Sequence, residues 1–314
     1  MKKTFKITSC FFIFLLSISN LISESSPFQS LRFNSSARAS ALAGCFVSIS
    51  DDASALIYNP ASISTVNNKP FSITFLKHVL DINSGNVSYI RKLEGLGTFA
   101  GDVSFTNYGS FIAADPSGKQ TGTFSSNDLS IAATYSNELD TNLFYGVSLK
   151  YLFVNLDKSN SSAFALDAGL LYLIPKIRTN IGISVLHAGT QLSTFEGTTE
   201  SLPLDIRIGG SHRLKGLPLL VCLSFHHLAD NTDSFIDKFA NFSIGGELYI
   251  GDYVQVRLGY DNQVRRFASP EHDRKLSGLT AGFGIKAKDF NFDYGISQVG
   301  VSATLHRFSL NLDL

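Results

Sequence analysis

The sequence contains no tryptophan, one methionine and three cysteines in 314 residues. So few cysteines exclude a disulfide-rich scaffold. Lysine plus arginine and aspartate plus glutamate both number 26, so the net charge gives no indication of a nucleic-acid partner. Beyond the N-terminal region no apolar run is long enough for a helical membrane span, and any membrane crossing therefore requires strands.

The N-terminal region has the parts of a secretory signal. Three lysines lie within Met1–Lys6, an unbroken apolar run follows from Phe11 to Leu16, and small residues stand at Ser19 and Ser23. The apolar run is too short to cross a bilayer as a helix. We therefore predict a cleaved signal peptide over residues 1–23.

Residues 69–314 alternate apolar and polar side chains in about fourteen runs of strand length, joined alternately by short turns and longer polar loops. This pattern is typical of a transmembrane antiparallel β-barrel. Residues 24–68 lack the alternation, are rich in alanine and serine, and are interpreted as an N-terminal plug. The predicted fold is therefore all-β, located in the outer membrane of a diderm bacterium.

The connectors predict the orientation of the barrel. Short turns are predicted near Glu94, Asp140, Lys176, Lys215, Gly251 and Lys288. Long loops are predicted at residues 109–127, 189–203, 229–240 and 262–277. With an even number of strands both termini share the short-turn end, which faces the periplasm in such barrels, and the long loops then face outward.

One pair of opposite charges falls on the predicted lumen face beside the Gly251 turn. If that turn is tight, Glu247 lies opposite Arg257 on the neighbouring strand. A pair of this kind inside a barrel either holds the wall and anchors a plug or takes part in transport. The sequence favours the structural role.

A second pair of opposite charges is predicted five strands nearer the N-terminal end of the barrel wall. Matching Leu149 with Ala168 on the next strand would place Lys150 opposite Asp167. Alternation along the first of these strands gives Lys150 lumen parity, because Leu149 has lipid parity. The structural role is again favoured over transport.

Residues with reactive side chains form no catalytic constellation in the sequence. His187 has the parity of the lipid-facing side, and His226 and His227 point to opposite faces of one predicted strand, where they cannot share a metal. Asp51 and Asp52 are interpreted as caps or turn residues. The sequence therefore predicts no enzyme activity, no catalytic residue, no metal site and no cofactor.

Two cysteines remain after removal of the signal peptide, Cys45 and Cys222. They can pair with each other in an oxidising periplasm. Two cysteines are too few to serve as a disulfide framework for a chain of this length. The sequence therefore favours two unrelated, small, buried residues.

The segment from Ser36 to Ser64 combines an Ala-Arg pair, a small-residue turn, an Asp-Asp-Ala stretch and an Asn-Pro-Ala stretch. The residues that carry this plug motif are Arg38, Gly44, Asp51, Asp52, Asn59, Pro60 and Ala61. The segment resembles the N-terminal part of the FadL superfamily, and most closely its PorV and PorQ branch. The chain is also similar to an uncharacterised spirochaetal family of FadL-like barrels.

This resemblance implies a fourteen-stranded barrel closed from inside by the plug. It also implies a passive outer-membrane channel for small hydrophobic molecules of the long-chain fatty-acid type. Four aromatic residues around the first outer loop either line a hydrophobic ligand pocket or belong to the aromatic belt at the outer interface. They are Phe105, Tyr108, Phe111 and Phe124.

Two other functions remain open in the sequence. One is a PorV-like component of a protein secretion or surface-attachment system, and the other is a purely structural barrel. The partners expected from the class are outer-membrane lipids, the barrel-assembly machinery, a hydrophobic small-molecule cargo and, in the second function, a secretion-system protein. No nucleic-acid partner is expected.

Overall fold

The structure is a computed structural model that describes residues 26–33, 36–67, 70–195, 197, 199–232, 234–268, 275–300 and 303–313. The predicted signal peptide lies outside the described residues. No helix in the described part of the chain is long and apolar enough to cross a membrane. The fold prediction is confirmed, because fourteen antiparallel strands pair with their sequence neighbours and β1 pairs with β14 to close a barrel.

The wall begins at Phe71, as predicted, and every predicted strand is present. The strands are β1 Phe71–Lys77, β2 Asn83–Leu93, β3 Gly97–Ala114, β4 Gln120–Asp140, β5 Leu143–Leu156, β6 Ser159–Ile174, β7 Thr179–Ser193, β8 Asp205–Arg213, β9 Leu219–Phe225, β10 Phe242–Ile250, β11 Val254–Asp261, β12 Leu279–Lys286, β13 Phe290–Gln298 and β14 Thr304–Leu312. Their connectors contain helix α2 (Asn262–Phe267) and the 3-10 helices Pro175–Ile177 and Phe235–Ala240.

Side chains along the strands alternate between an apolar outer face and a polar lumen. On β5, Val147 and Leu149 point outward and are 47% and 52% exposed, whereas Ser148 and Lys150 point inward and are 2% and 6% exposed. An apolar exposed face around a polar interior is the reverse of a soluble protein core. The arrangement suits a wall that contacts lipid on its outside.

The β3–β4 hairpin is longer than the sequence predicts. Residues 109–127 were expected to form a polar loop, but both strands extend into this stretch and leave only a tight turn. A bulge after Asn107 shifts the pairing register, and pairing resumes beyond it. The Asp115 carboxylate closes the turn by accepting the backbone N–H groups of Ser117 at 2.9 Å and Lys119 at 3.0 Å.

Residues 36–67, called here the inner segment, lie inside the barrel. Their helical elements are α1 (Ala37–Ala41) and the 3-10 helices Ala53–Ile57 and Pro60–Thr65. Hydrogen bonds reach different sides of the wall, since Thr280 on β12 donates to the carbonyl of Ala41 at 2.9 Å and Ser136 on β4 donates to the carbonyl of Ala61 at 3.2 Å. The inner segment is therefore attached around the lumen.

Residues 26–33, called here the outer segment, lie nearer the long-loop end. They contain a 3-10 helix, Gln29–Arg32. The Arg32 guanidinium donates to both carboxylate oxygens of Asp230, at 2.7 and 2.9 Å, and so ties the segment to the β9–β10 connector. The assignment of the short-turn end to the periplasm stays a prediction.

Candidate functional site

Three residues of the plug motif, Asp52, Asn59 and Pro60, lie at the starts of the 3-10 helices of the inner segment. Asp52 caps the first of these helices by accepting the N–H of Ser54 at 2.9 Å. Asn59 caps the second by accepting the N–H of Ala61 at 3.0 Å, and Pro60 occupies its first position, where no N–H donor is needed. The Asp-Asp-Ala and Asn-Pro-Ala patterns are therefore helix starts.

Two other motif residues supply left-handed turns. Gly44, with a φ of 74°, follows α1 and donates its N–H to the carbonyl of Ala39 at 2.8 Å. Asp51 has a φ of 57°, and its carboxylate accepts the N–H of Asn67 at 3.1 Å while its own N–H donates to Thr65 at 3.0 Å. These contacts bring the start of the first 3-10 helix close to the end of the second.

Asn59 also joins the inner segment to the wall. Its side-chain nitrogen donates to the carbonyl of Val47 at 2.8 Å and to the carbonyl of Leu170 on β6 at 2.9 Å. The residue is fully buried. One amide thus caps a helix, links two turns of the inner segment and satisfies a wall carbonyl.

Directly opposed glycines face the inner segment on four pairs of neighbouring strands. The pairs are Gly146 with Gly169, Gly182 with Gly209, Gly245 with Gly259, and Gly282 with Gly295. A Cβ at any of these eight positions would lie within 3.0 Å of a heavy atom of the inner segment. The wall can therefore approach the inner segment at these positions only because a side chain is absent.

The predicted lumen pair beside the Gly251 turn belongs to a larger charge network. Glu247 lies opposite Arg257 in the β10–β11 register, and their side chains are 2.7 Å apart. Arg257 also donates to Asp293 at 2.6 Å. The partner that the sequence did not indicate is Arg38 of the inner segment, which donates to Glu247 at 2.6 and 3.0 Å and to Asp52 at 2.9 Å.

This network is a chain in which each arginine contacts two carboxylates, with Glu247 shared between them and Asp52 and Asp293 at the ends. Burial alone would lower the pKa of the Arg38 guanidinium, but Glu247, Tyr249 and Asp52 raise that pKa well above its ordinary value. Arg38 therefore stays charged, and the Ala-Arg pair of the motif acts as the electrostatic anchor of the inner segment. Truncation of one partner would leave an uncompensated buried charge.

The second predicted pair also forms, but in a different register. Leu149 was expected opposite Ala168, whereas β5 and β6 pair Leu149 with Leu166. Lys150 still reaches Asp167, with 2.6 Å between the ammonium nitrogen and the carboxylate. The long lysine side chain spans the diagonal that the register leaves between the two residues.

The lipid-side placement of His187 is wrong. This residue is 2% exposed inside the barrel, its ring nitrogen lies 3.3 Å from the Lys150 ammonium, and its backbone N–H donates to Asp167 at 2.8 Å. A bulge between Leu166 and Ala168 and a left-handed φ of 63° at His187 cancel the alternation on which the prediction rested.

A second aspartate that accepts the backbone N–H of a histidine and pairs with a basic side chain lies at the start of β8. Asp205 accepts the backbone N–H of His227 at 2.6 Å and the side chain of Arg207 at 2.7 Å. The expectation that His226 and His227 point to opposite faces is wrong, because β9 ends before them and both rings contact the side-chain oxygen of Gln263, at 3.2 and 2.7 Å. No cluster of potential metal ligands occurs among the described residues.

The four aromatic residues expected to line a pocket do not converge. Phe105 is 46% exposed on the outward face of β3. Phe111 and Phe124 stack on the projecting hairpin with ring centroids 5.2 Å apart, and Tyr108 donates its hydroxyl to Asp128 at 2.7 Å. The β3 bulge separates Phe105 from the others, and its exposed, outward position fits the alternative of an aromatic belt.

An apolar cluster, called here the outer chamber, lies between the outer segment and the wall. Its residues are Phe28, Leu31, Leu152, Val154, Ala163, Ala165, Phe195 and Leu202. Beside it is a cavity of about 60 Å³ with polar lining from Asp102, Lys150 and His187. The sequence signal for the chamber is the apolar pair Leu152 and Val154 at lumen parity on β5.

The short-turn end of the lumen is polar. A cavity of about 390 Å³ there is lined by Arg38, Asp52, Tyr249, Arg257 and Asp293, among others. The lumen therefore changes in character along its axis, from an apolar chamber near the long loops to a charged vestibule near the short turns.

These features define an outer-membrane β-barrel of the FadL-like class, with its N-terminal segment folded into the lumen. The chain belongs to the PorV family, described as type IX secretion system protein PorV, whose sequence model matches residues 17–200. The predicted relationship to PorV proteins, the predicted FadL-like barrel fold and the predicted outer-membrane location are confirmed. No curated protein matches the sequence.

Three solved structures share the fold. The toluene transporter TodX of Pseudomonas putida has a TM-score of 0.56 and 13% identity, over 87% of this chain and 95% of that chain. The toluene transporter TbuX of Ralstonia pickettii has a TM-score of 0.54 and 16% identity, over 88% and 97%. A FadL homologue of Pseudomonas aeruginosa has a TM-score of 0.52 and 10% identity, over 88% and 97%.

Proposed function

We propose that the protein takes up small hydrophobic molecules, which it captures in the outer chamber. The observation that carries this proposal is an apolar cluster at lumen parity that adjoins a cavity and is covered only by the short outer segment. The two other apolar clusters of the lumen pack the inner segment against the wall. A ligand site is apolar with a few polar groups, which fits a cluster beside Asp102, Lys150 and His187. The shared fold with two toluene transporters supports the proposal.

In this proposal the outer segment is the part that moves when ligand enters. The existing cavity of about 60 Å³ is far smaller than the roughly 300 Å³ of a typical ligand site. Phe28 and Leu31 fill the space beside it, and the pair of Arg32 with Asp230, which is 26% and 24% exposed, holds them there. A partly exposed ion pair is a weak attachment, so ligand can displace it.

The test is ligand binding by the protein in lipid nanodiscs, with tritiated oleate and toluene as separate probes. Leu152→Asn should weaken binding of the accepted probe by about tenfold or more, because a buried leucine contributes about 1.5–3 kcal/mol of apolar contact. Leu171→Asn is the matched control, since Leu171 is equally buried but lies outside the chamber. Equal binding by both variants and the unchanged protein would contradict the proposal.

A second candidate function is a component of protein export, favoured by membership of the PorV family. The buried charge network around Arg38 and the close packing of the inner segment against wall glycines suit a barrel that stays closed while it binds a protein. In this case a deletion strain should retain surface proteins in the periplasm while its oleate uptake stays normal. The uptake function predicts the opposite pattern, with normal export and reduced uptake.

A further inference from the structure

Cys45 and Cys222 meet across the boundary between the inner segment and the wall. Both belong to one apolar cluster with Leu42, Phe46 and Tyr58, and they are 1% and 4% exposed. Both are free thiols in the structure, and the Cys222 thiol donates to the carbonyl of Gly245 at 3.6 Å. The expectation of two small, buried residues is confirmed. The two are nevertheless not unrelated, because they belong to one cluster although they lie far apart in the sequence.

Backbone contacts of the neighbouring residues hold both cysteines in place. Cys45 follows the glycine turn after α1, where its N–H donates to the carbonyl of Leu42 at 3.1 Å. Cys222 lies on β9 opposite Gly245 of β10. A Cβ at Gly245 would lie 2.9 Å from the Cys222 sulfur, so the glycine leaves the space that this sulfur occupies.

We propose that Cys45 and Cys222 form a disulfide that fixes the inner segment covalently to β9. The oxidant is a protein disulfide of the periplasmic thiol–disulfide exchange type. One cysteine thiolate attacks that disulfide and forms a mixed disulfide with it. The second cysteine, as its thiolate, then displaces the oxidant, which leaves as a dithiol, so two electrons and the two thiol protons pass to the oxidant.

The exchange takes place before the inner segment is seated. Burial raises the pKa of the Cys45 thiol well above its ordinary value, and the adjacent Cys222 thiol raises it further. The thiolate is the reactive form, so the seated Cys45 thiol is inert, and both thiols are buried where a protein oxidant has no access to them. Once formed, the disulfide is shielded from reductants in the same way.

The disulfide would set a limit on how the barrel opens. The inner segment near Cys45 could not leave the lumen, whereas the outer segment, held by Arg32 and Asp230, would remain free to move. A hydrophobic ligand would then have to pass by displacing the outer segment and by local rearrangement of the inner segment away from Cys45. The inference itself does not depend on the proposed uptake function, since it concerns only the attachment of the inner segment.

The test is a thiol count on the full chain, produced with its signal peptide in a diderm host. The unfolded protein is treated with a maleimide-polymer reagent before and after reduction, and tryptic peptides are analysed by mass spectrometry. The unchanged protein should give no adduct before reduction and two after it, together with a linked peptide pair. Cys45→Ser and Cys222→Ser should each give one adduct before reduction.

Two adducts on the unreduced, unchanged protein would overturn the proposal, as would disulfide-linked dimers in place of the intramolecular link. Production in a host that lacks its periplasmic disulfide oxidant should convert the protein to the two-adduct form. A disulfide that persists at the same level in that host would contradict the assigned oxidant. The count on the unchanged protein is decisive even where a serine variant fails to assemble.

Discussion

Replacing Glu247 by glutamine should lower the free energy of unfolding by about 3–5 kcal/mol, because it removes the buried carboxylate that two guanidinium groups share and leaves each of them with one aspartate. Glu247 is 1% exposed and accepts hydrogen bonds from Arg38, Arg257 and Tyr249. A neutral amide cannot balance two guanidinium groups. The measurement is urea unfolding of the barrel in lipid vesicles, followed by the change in electrophoretic mobility on heating.

Two comparisons isolate the network in that experiment. Asp252→Asn removes a carboxylate from the exposed turn next to β10 and should change stability by no more than about 0.5 kcal/mol. The double variant Glu247→Gln with Arg257→Gln should cost less than the sum of the two single changes, because the residues are in contact. Strict additivity of the single effects would show that the pair is not coupled.

Replacing Gly146 by valine should displace the inner segment from the opposed wall glycines against which it packs. A Cβ at this position would overlap the peptide that joins Pro60 to Ala61. Overpacking of this kind costs about 1–3 kcal/mol or more. The adjacent hydrogen bond from Asn59 to the Leu170 carbonyl should break with it.

The measurement for Gly146→Val is limited proteolysis of assembled protein, in which cleavage within the inner segment should rise steeply while the strands stay protected. Gly101→Val is the matched control, since Gly101 faces outward on β3 and a Cβ there would meet no atom within 4 Å. Equal protection of the inner segment in both variants would contradict the role of the opposed glycines as its seat.

The alternation of side chains predicted the fourteen strands and the closed barrel because period-two patterning reports directly on which face of a strand meets lipid. Prediction failed where the backbone interrupts that period. The bulge near Leu166 and the left-handed conformation at His187 interrupt the period and misplaced His187, and the pairing that resumes beyond the bulge near Asn107 replaced an expected loop. A bulge depends on the neighbouring strand, so one strand read alone does not reveal it.

The lumen contacts were less predictable than the wall. The Glu247–Arg257 pair followed from one tight turn, which makes it a local feature. Arg38 was singled out by its motif, but its partner on β10 lies far away in the sequence. The roles of the opposed glycines and of the two cysteines also depend on contacts between distant parts of the sequence. They can be recognised only once it is known which part of the inner segment lies against which strand.

The central claim is that the inner segment, seated on wall glycines and anchored by Arg38, acts as a plug that closes the lumen. It is tested most directly by ionic conductance across planar bilayers that contain either the mature protein or a variant that lacks residues 26–67. The mature protein should show almost no steady conductance, and the shortened barrel should show large, stable conductance steps, because fourteen strands enclose a lumen that side chains alone do not fill. Equal conductance of the two proteins would contradict the claim.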